Sequence, residues 1–179
     1  MTSATGPRLV LVGPPASGKT TVGTAVAAAL GASFRDTDAD VEAETGSTIA
    51  DLFVQQGEPH FRALEERAVA RALAEHPGVL ALGGGAVTSE ASRALLVAHG
   101  RAGGAVVWLD VDVPSAARRV GLSRDRPLLA VNPRAMLRTM LEARAPLYAE
   151  VATATVSTSD REVDAVVAEV LASVREVRR

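Results

Sequence analysis

The chain has 179 residues, a length that fits one compact domain, and 47% of them are hydrophobic, so a sizeable core can form. Its net charge of −2 lacks the basic excess typical of nucleic-acid binding, and the absence of cysteine excludes disulfides and thiolate metal sites. No stretch has the length and apolarity of a membrane span, and the N-terminus lacks the layout of a signal peptide. We therefore expect a cytoplasmic protein without a nucleic-acid or membrane partner.

Short apolar, β-branched runs alternate with helical segments along the whole chain. The predicted elements are, in chain order, strand 9–12, helix 20–30, strand 32–34, helices 39–44, 48–56 and 58–75, strand 79–82, helix 89–98, strand 105–109, helix 114–120, a loop over 121–133, helix 134–145, strand 153–156 and helix 162–179. This alternation implies an α/β fold, with a mostly parallel five-stranded sheet between two layers of helices. Because ligands of such sheets bind beyond the carboxyl ends of the strands, functional motifs are expected there.

The first strand runs directly into Gly13–Thr20, with the sequence GPPASGKT, and a helix follows. This segment matches the phosphate-binding loop pattern G-x-x-x-x-G-K-[ST] in full and in the required strand–loop–helix context. Glycines let successive N–H groups point at one phosphate, and the helix N-terminus adds positive potential. The predicted ATP-binding residues of this segment are Ala16, Ser17, Gly18, Lys19, Thr20 and Thr21.

Lys19 is the only lysine, whereas the other 18 basic residues are arginines. A slim ammonium fits a tight loop that would not admit a planar guanidinium. We expect Lys19 to contact the β- and γ-phosphates of ATP, and the hydroxyl of Thr20 to bind Mg²⁺.

Aspartates follow two of the predicted strands and are candidates for a magnesium-binding carboxylate. Asp36 and Asp38 come after the second strand, and Asp110 follows the strand 105–109, where the alternative is a solvated residue at a strand end. We favour the first pair, because one carboxylate can orient a magnesium-bound water while the other accepts a substrate hydroxyl proton. The alternative for Asp38 is that it only caps the next helix.

Three consecutive glycines, Gly83, Gly84 and Gly85, follow the strand 79–82. They remove all side chains from that end of the sheet, which permits close approach of a ligand to backbone N–H groups. A flexible turn is the alternative.

Arginines that suit a carboxylate or a transferring phosphate are Arg62 on a helix, Arg126 in the loop 121–133, and Arg144 near a helix end.

Taken together, these motifs resemble the shikimate kinase family over about residues 9–168. The markers, in the order in which the family has them, are the phosphate loop, Asp36-Thr37-Asp38, Phe61-Arg62, Gly83-Gly84-Gly85, Arg126-Pro127-Leu128-Leu129 and Arg144-Ala145-Pro146-Leu147-Tyr148. The resemblance implies a single P-loop kinase domain over 1–179, with a lid at about 121–133 and a substrate-binding helical region at about 38–66. It implies transfer of the γ-phosphoryl group of ATP to the 3-hydroxyl of shikimate, in aromatic amino-acid biosynthesis.

The resemblance also implies residue roles. Asp38 would bind the shikimate hydroxyls and assist deprotonation, Arg62 and Arg144 would clamp the carboxylate, and Gly84 would offer backbone contacts. The implied catalytic residues are Lys19, Asp38 and Arg126. The implied substrate-binding residues are Asp38, Ile49, Phe53, Phe61, Arg62, Gly83, Gly84, Gly85 and Arg144, with Ile49, Phe53 and Phe61 forming an apolar floor.

On the nucleotide side, the resemblance places Asp36 in the second shell of magnesium and Arg126 on the phosphates. Arg119 would stack near adenine, and Arg161 would lie on the other side of the base. The chain departs from the family at Pro15-Ala16, where many relatives have glycine at the second position.

Other interpretations of the same motifs remain open. A gluconate kinase or another small-metabolite kinase would share the phosphate loop and the lid, but would have less use for two carboxylate-clamping arginines beside a glycine triplet. A catalytically silent nucleotide-binding paralogue is the alternative from another class of protein. A guanine-nucleotide switch would need an N-K-x-D motif, which the chain lacks because its only lysine is Lys19. We expect a monomer.

Overall fold

A computed structural model describes residues 6–121 and 133–177. The strands are β1 (Leu9–Val12), β2 (Phe34–Asp36), β3 (Val79–Ala81), β4 (Ala105–Asp110) and β5 (Ala154–Ser157). The helices of the described part are α1 (Lys19–Leu30), α2 (Thr37–Thr45), α3 (Ile49–Gln56), α4 (Glu58–Glu75), α5 (Glu90–Arg101), α6 (Val113–Gly121), α7 (Pro133–Val151) and α8 (Val163–Val177), and a 3-10 turn spans Ala86–Thr88.

The five strands form one sheet in the order β2-β3-β1-β4-β5, and every neighbouring pair is parallel. β1 lies at the centre, where Leu9 is opposite both Val79 and Ala105. Its residues are completely buried or nearly so, as expected for a parallel strand covered on both faces. All carboxyl ends meet at one edge of the sheet, and this edge carries the site described below.

Alternate residues of the strands pack on opposite helix layers. Leu9 and Leu11 face a core shared with α1 and α8, whereas Val10 and Val12 face a core shared with α4, α5 and α7. The sheet therefore lies between two layers of helices, and the predicted three-layer α/β/α fold is confirmed. It is the fold of P-loop nucleotide-binding proteins.

A smaller core joins α2, α3 and α4 beside the sheet. Its buried members are Val41, Leu52, Phe61, Leu64 and Ala68. Thr48 begins α3 as a side-chain cap for the N–H of Asp51, and Gly57 ends it. These helices form the region at about 38–66 that the resemblance assigns to the substrate.

Several predicted boundaries are wrong. The helix predicted over 39–44 spans Thr37–Thr45, and the helix predicted over 89–98 extends to Arg101. β2 spans Phe34–Asp36 rather than 32–34, because the N–H of Ala32 still donates to the carbonyl of Ala27 in the cap of α1. The helix predicted over 134–145 continues through Pro146 to Val151. Burial of Tyr148 and Val151 in the core outweighs the cost of a proline inside the helix.

Within residues 6–121 and 133–177, no helix combines the length and apolarity needed to span a membrane. The predicted lid lies almost entirely outside the described residues, and so does Arg126.

Candidate active site

The phosphate loop lies between β1 and α1, where the motif predicts it. The ammonium of Lys19 donates to the carbonyl oxygens of Gly13 at 2.8 Å and Pro14 at 2.9 Å. A Cβ atom at Gly13 would lie 2.5 Å from the carbonyl oxygen of Leu109, so this position requires glycine. Gly18 begins α1 with φ +91°, a conformation that glycine adopts without strain. The loop thus wraps around the N-terminal end of α1.

The ends of β1 and β2 bring Thr20 and Asp36 together. The hydroxyl of Thr20, in the first turn of α1, donates to Oδ2 of Asp36 at 3.2 Å. The other oxygen of Asp36 accepts the N–H of Asp38 at 2.9 Å, so Asp36 is the N-cap of α2. The alternative in which Asp38 only caps this helix is therefore wrong, and the Asp38 side chain is left for another task.

Asp38 lies in a crowded, negatively charged environment. Burial raises the pKa of its carboxyl to about 6, and the neighbouring carboxylates of Asp36 and Glu65 add to this effect. The Lys19 ammonium acts in the opposite direction and lowers the pKa. Asp38 therefore has a pKa in the range that suits a general base, and its carboxylate interacts with the ammonium of Lys19.

Arg62 is held on α4 by two carboxylates. Its Nη1 donates to Glu65 at 2.6 Å, and its Nη2 donates to Glu58 at 3.1 Å. The guanidinium carbon lies 5.8 Å from the ring centre of Phe53 and 5.3 Å from that of Phe61. This cation–π arrangement orients the guanidinium over the two rings.

Phe53 and Phe61 form the aromatic part of the predicted apolar floor. Their ring centres are 4.8 Å apart, and Ile49 packs on the same small core. The structure therefore brings together the three floor residues and Arg62.

The glycine triplet touches both halves of the site. A Cβ atom at Gly83 would lie 2.5 Å from Oδ1 of Asp38 and 2.5 Å from Oε1 of Glu65. A Cβ at Gly84 would lie 2.6 Å from Cδ of Pro15 in the phosphate loop, and one at Gly85 would overlap the guanidinium of Arg62. The absence of side chains at these positions therefore lets the segment approach Asp38, Glu65, Pro15 and Arg62 closely.

Gly84 is fixed from the side of α7. Its carbonyl oxygen accepts a hydrogen bond from the hydroxyl of Tyr148 at 2.5 Å and one from Nη1 of Arg144 at 3.3 Å. Burial raises the pKa of Tyr148 to about 12, so this phenol remains a hydrogen-bond donor at neutral pH. The Tyr148 ring stacks on Trp108 with ring centres 5.7 Å apart.

The predicted adenine residues lie at the other end of the sheet edge. Arg119 donates to the carbonyl of Ala16 and to Thr158 just beyond β5. Arg161 donates to the carbonyl of Ser157 at 3.0 Å and pairs with Glu169 at 2.6 Å. Both arginines thus approach the end of β5, while Asp110 ends β4 and its carbonyl accepts from Thr158.

Sequence reasoning missed three residues that hold this site together. Glu65 is 3% exposed and forms an ion pair with Arg62. Burial raises the pKa of the Glu65 carboxyl, although the charge of Arg62 acts to lower it. Tyr148 and Thr158 anchor Gly84 and Arg119. Glu65 was detectable three residues after Arg62 on a helix, and Tyr148 belongs to the family motif, whereas no local signal marks Thr158.

The fold and the loop Gly13–Thr20 define a P-loop nucleotide-binding protein. The family model described as Shikimate kinase matches residues 15–175. The chain belongs to the shikimate kinase family and is therefore an ATP-dependent kinase.

Known relatives agree with this assignment. A shikimate kinase of Salinispora arenicola is 58% identical over 166 residues, which cover 93% of this chain and 96% of that protein. The structure of an Acinetobacter baumannii shikimate kinase in complex with shikimate is 36% identical, with a TM-score of 0.89 over 97% of this chain and 95% of that one. A gluconokinase of Sinorhizobium meliloti is more distant, at 25% identity and a TM-score of 0.60 over 95% and 92% of the two chains.

Proposed function

We propose that this chain transfers the γ-phosphoryl group of ATP to the 3-hydroxyl of shikimate, giving ADP and shikimate 3-phosphate. This is a step of aromatic amino-acid biosynthesis. The observation that carries the proposal is the position of Asp38, whose carboxylate interacts with Lys19 on the phosphate side and approaches Glu65 at Gly83 on the acceptor side. A carboxylate at that junction can accept a proton from a hydroxyl as the hydroxyl attacks the γ-phosphorus.

The acceptor half of the site suits a small hydroxylated carboxylic acid. Arg62 and Arg144 supply two guanidinium groups for its carboxylate, and both act on the same buried carboxyl of Glu65. Ile49, Phe53 and Phe61 provide an apolar surface for the carbon ring. The N–H groups of Gly84 and Gly85 would provide donors for the remaining hydroxyls, whereas the N–H of Gly83 already donates to the hydroxyl of Thr37 at 3.2 Å.

We infer that Mg²⁺ accompanies ATP. The hydroxyl of Thr20 and the carboxylate of Asp36, 3.2 Å apart, are hard oxygen donors of the kind that magnesium prefers. Thr20 would bind the ion directly and Asp36 through a water. The ion neutralises charge on the β- and γ-phosphates when bound, and the residues of this chain orient the phosphates for attack.

The nucleotide extends toward β4 and β5 in this proposal. Arg119 and Arg161 would lie near adenine, and Arg126 of the lid would close on the phosphates and exclude water. We further propose that the chain is a single kinase domain over 1–179, acts as a monomer and works in the cytoplasm.

Gluconate kinase is the second candidate, since a gluconokinase shares the fold. Both acids carry a carboxylate that the paired arginines could bind, but the apolar surface of Ile49, Phe53 and Phe61 suits a carbon ring. The relatives with the high identities are named shikimate kinases. A coupled assay of ADP release with Mg²⁺, ATP and either shikimate or gluconate separates the two. We expect turnover with shikimate but not with gluconate. Lys19→Ala should lower the turnover of shikimate by about 100-fold or more, because the γ-phosphate loses its charged partner.

Phosphorylation of gluconate but not shikimate would refute the proposed acceptor. Absence of ADP release with either acid would favour the catalytically silent paralogue. Normal turnover of Lys19→Ala would contradict the role of the phosphate loop.

A further inference from the structure

Ala16, in the phosphate loop, has a left-handed backbone conformation with φ +66°. Asp160 is the only other non-glycine residue of the described part with positive φ. A methyl group disfavours this conformation, which glycine adopts freely. Alternation of left- and right-handed residues is nevertheless what directs successive N–H groups toward one anion. A contact from outside the loop can supply the stabilisation that alanine lacks here.

Such a contact comes from Arg119, on the last turn of α6. Its Nη1 donates to the carbonyl oxygen of Ala16 at 3.0 Å. The same nitrogen donates to the hydroxyl oxygen of Thr158 at 3.0 Å, and Nη2 donates to the carbonyl of Thr158 at 2.5 Å. One guanidinium thus connects the phosphate loop to the end of β5 with charge-assisted hydrogen bonds.

Thr158 is itself fixed to the sheet. It is 3% exposed, its N–H donates to the carbonyl of Asp110 at 2.8 Å, and its hydroxyl donates to the same carbonyl at 3.2 Å. The hydroxyl proton is therefore directed at Asp110, which leaves the oxygen lone pairs to accept from Arg119. The guanidinium is consequently anchored to the ends of β4 and β5 rather than to a mobile surface.

We propose that Arg119 is a positioning residue of the phosphate loop, which holds the carbonyl of Ala16 and thereby stabilises the left-handed conformation needed to bind polyphosphate. The inference rests on the proposed binding of ATP at Gly13–Thr20 but not on the identity of the acceptor. It differs from adenine stacking, because a residue that contacts only the base has no effect on a polyphosphate without a base.

The test measures binding of magnesium tripolyphosphate and of Mg·ATP by calorimetry. The variants are Arg119→Met, Ala16→Gly and the double variant. We expect Arg119→Met to weaken both ligands by about tenfold, the loss typical of a hydrogen bond with a charged donor. In the Ala16→Gly background the same substitution should cost about threefold or less, because glycine holds the left-handed conformation without the arginine.

Arg118 provides a matched control on the same helix. It pairs with Asp160 and donates to Ser115 at 3.1 Å, so Arg118→Met removes an equal charge without touching Ala16. We expect it to change tripolyphosphate affinity by less than about twofold. Thr158→Val keeps the arginine but removes one anchor, and should weaken tripolyphosphate by about threefold. If Arg119→Met does not fold, Thr158→Val is used to test the proposal in its place.

Weakened ATP binding with unchanged tripolyphosphate binding would overturn the inference in favour of a base contact alone. Equal losses in the Ala16 and Ala16→Gly backgrounds would also overturn it, because they would mean that the guanidinium acts directly on the phosphates. Either failure leaves shikimate turnover of the unaltered chain as a separate test of the proposed function.

Discussion

Asp38 is ionised at neutral pH at a cost to the folded state, because burial and the carboxylates of Asp36 and Glu65 raise its pKa to about 6. An aspartate with a raised pKa binds its proton more tightly in the folded chain than in the unfolded chain. The free energy of unfolding therefore falls as pH rises between the unfolded value of 3.8 and about 6. The carboxylate that suits proton transfer is also one that destabilises the fold.

Asp38→Asn should separate these two effects. We expect the free energy of unfolding at pH 7.5 to rise by about 1–2 kcal/mol, and this gain to shrink as pH falls toward 4. Turnover should drop by about 100-fold or more, since the amide cannot accept the hydroxyl proton, while ATP affinity is kept. In the unaltered enzyme kcat/KM for shikimate should fall below about pH 6, and this limb should be missing in the variant.

Urea unfolding at several pH values and steady-state kinetics measure both effects. Glu176→Gln, on the exposed surface of α8, is the control and should change neither. If Asp38→Asn is less stable than the unaltered chain at pH 7.5, the charge of Asp38 does not destabilise the folded state. A loss of ATP affinity equal to the loss of turnover would contradict its role toward the acceptor.

At the scale of elements, the segment Gly83–Gly85 after β3 joins the acceptor half of the site to the phosphate half. Gly84 approaches Pro15 of the phosphate loop, and Gly85 approaches Arg62 on α4. Neither glycine has positive φ, so alanine fits the backbone at both positions and only the added methyl group matters. Alanine substitutions at Gly84 and Gly85 therefore serve as controls for each other.

Gly84→Ala and Gly85→Ala should affect different substrates. The first places Cβ 2.6 Å from Cδ and 3.0 Å from the backbone nitrogen of Pro15, so the phosphate loop has to move and KM for ATP should rise by about tenfold. The second displaces only the flexible end of Arg62, and KM for shikimate should rise by about tenfold while KM for ATP is kept. Initial-rate kinetics with each substrate varied in turn measure both constants. An increase of the same constant in both variants would contradict this division.

Local motifs predicted the elements well where the signal was short-range. The loop Gly13–Thr20 was found in full, because its glycines, Lys19 and Thr20 act within eight neighbouring residues. The bonds of Tyr148 and Arg119 were not found, since they reach across 64 and 103 residues. The end of α7 was also missed, because burial of Tyr148 outweighs the helix-ending signal of Pro146.

At the scale of the whole molecule, the strand order separates the predicted acceptor residues from the predicted adenine residues. Asp38 and the glycine triplet follow β2 and β3 on one side of β1, and Arg144 reaches Gly84 from α7, whereas Arg119 and Arg161 approach the end of β5 on the other side. The phosphate loop after the central strand lies between them. ATP would therefore lie across the sheet edge, with its γ-phosphate directed at Asp38. The alternation of elements predicted the layers, but it carries no signal for this strand order.

The composition of the whole chain offers a direct test of the phosphate site. Lys19 is the only lysine, so an amine-selective acylating reagent has one side-chain target, besides the N-terminal amine. An acylated Nζ loses its charge and can no longer attract the β- and γ-phosphates. We expect loss of activity to follow acylation of Lys19, and Mg·ATP to slow this acylation by about tenfold when saturating. Peptide mapping by mass spectrometry separates the two adducts. Full turnover by chains acylated at Lys19, or acylation that Mg·ATP does not slow, would show that ATP binds elsewhere.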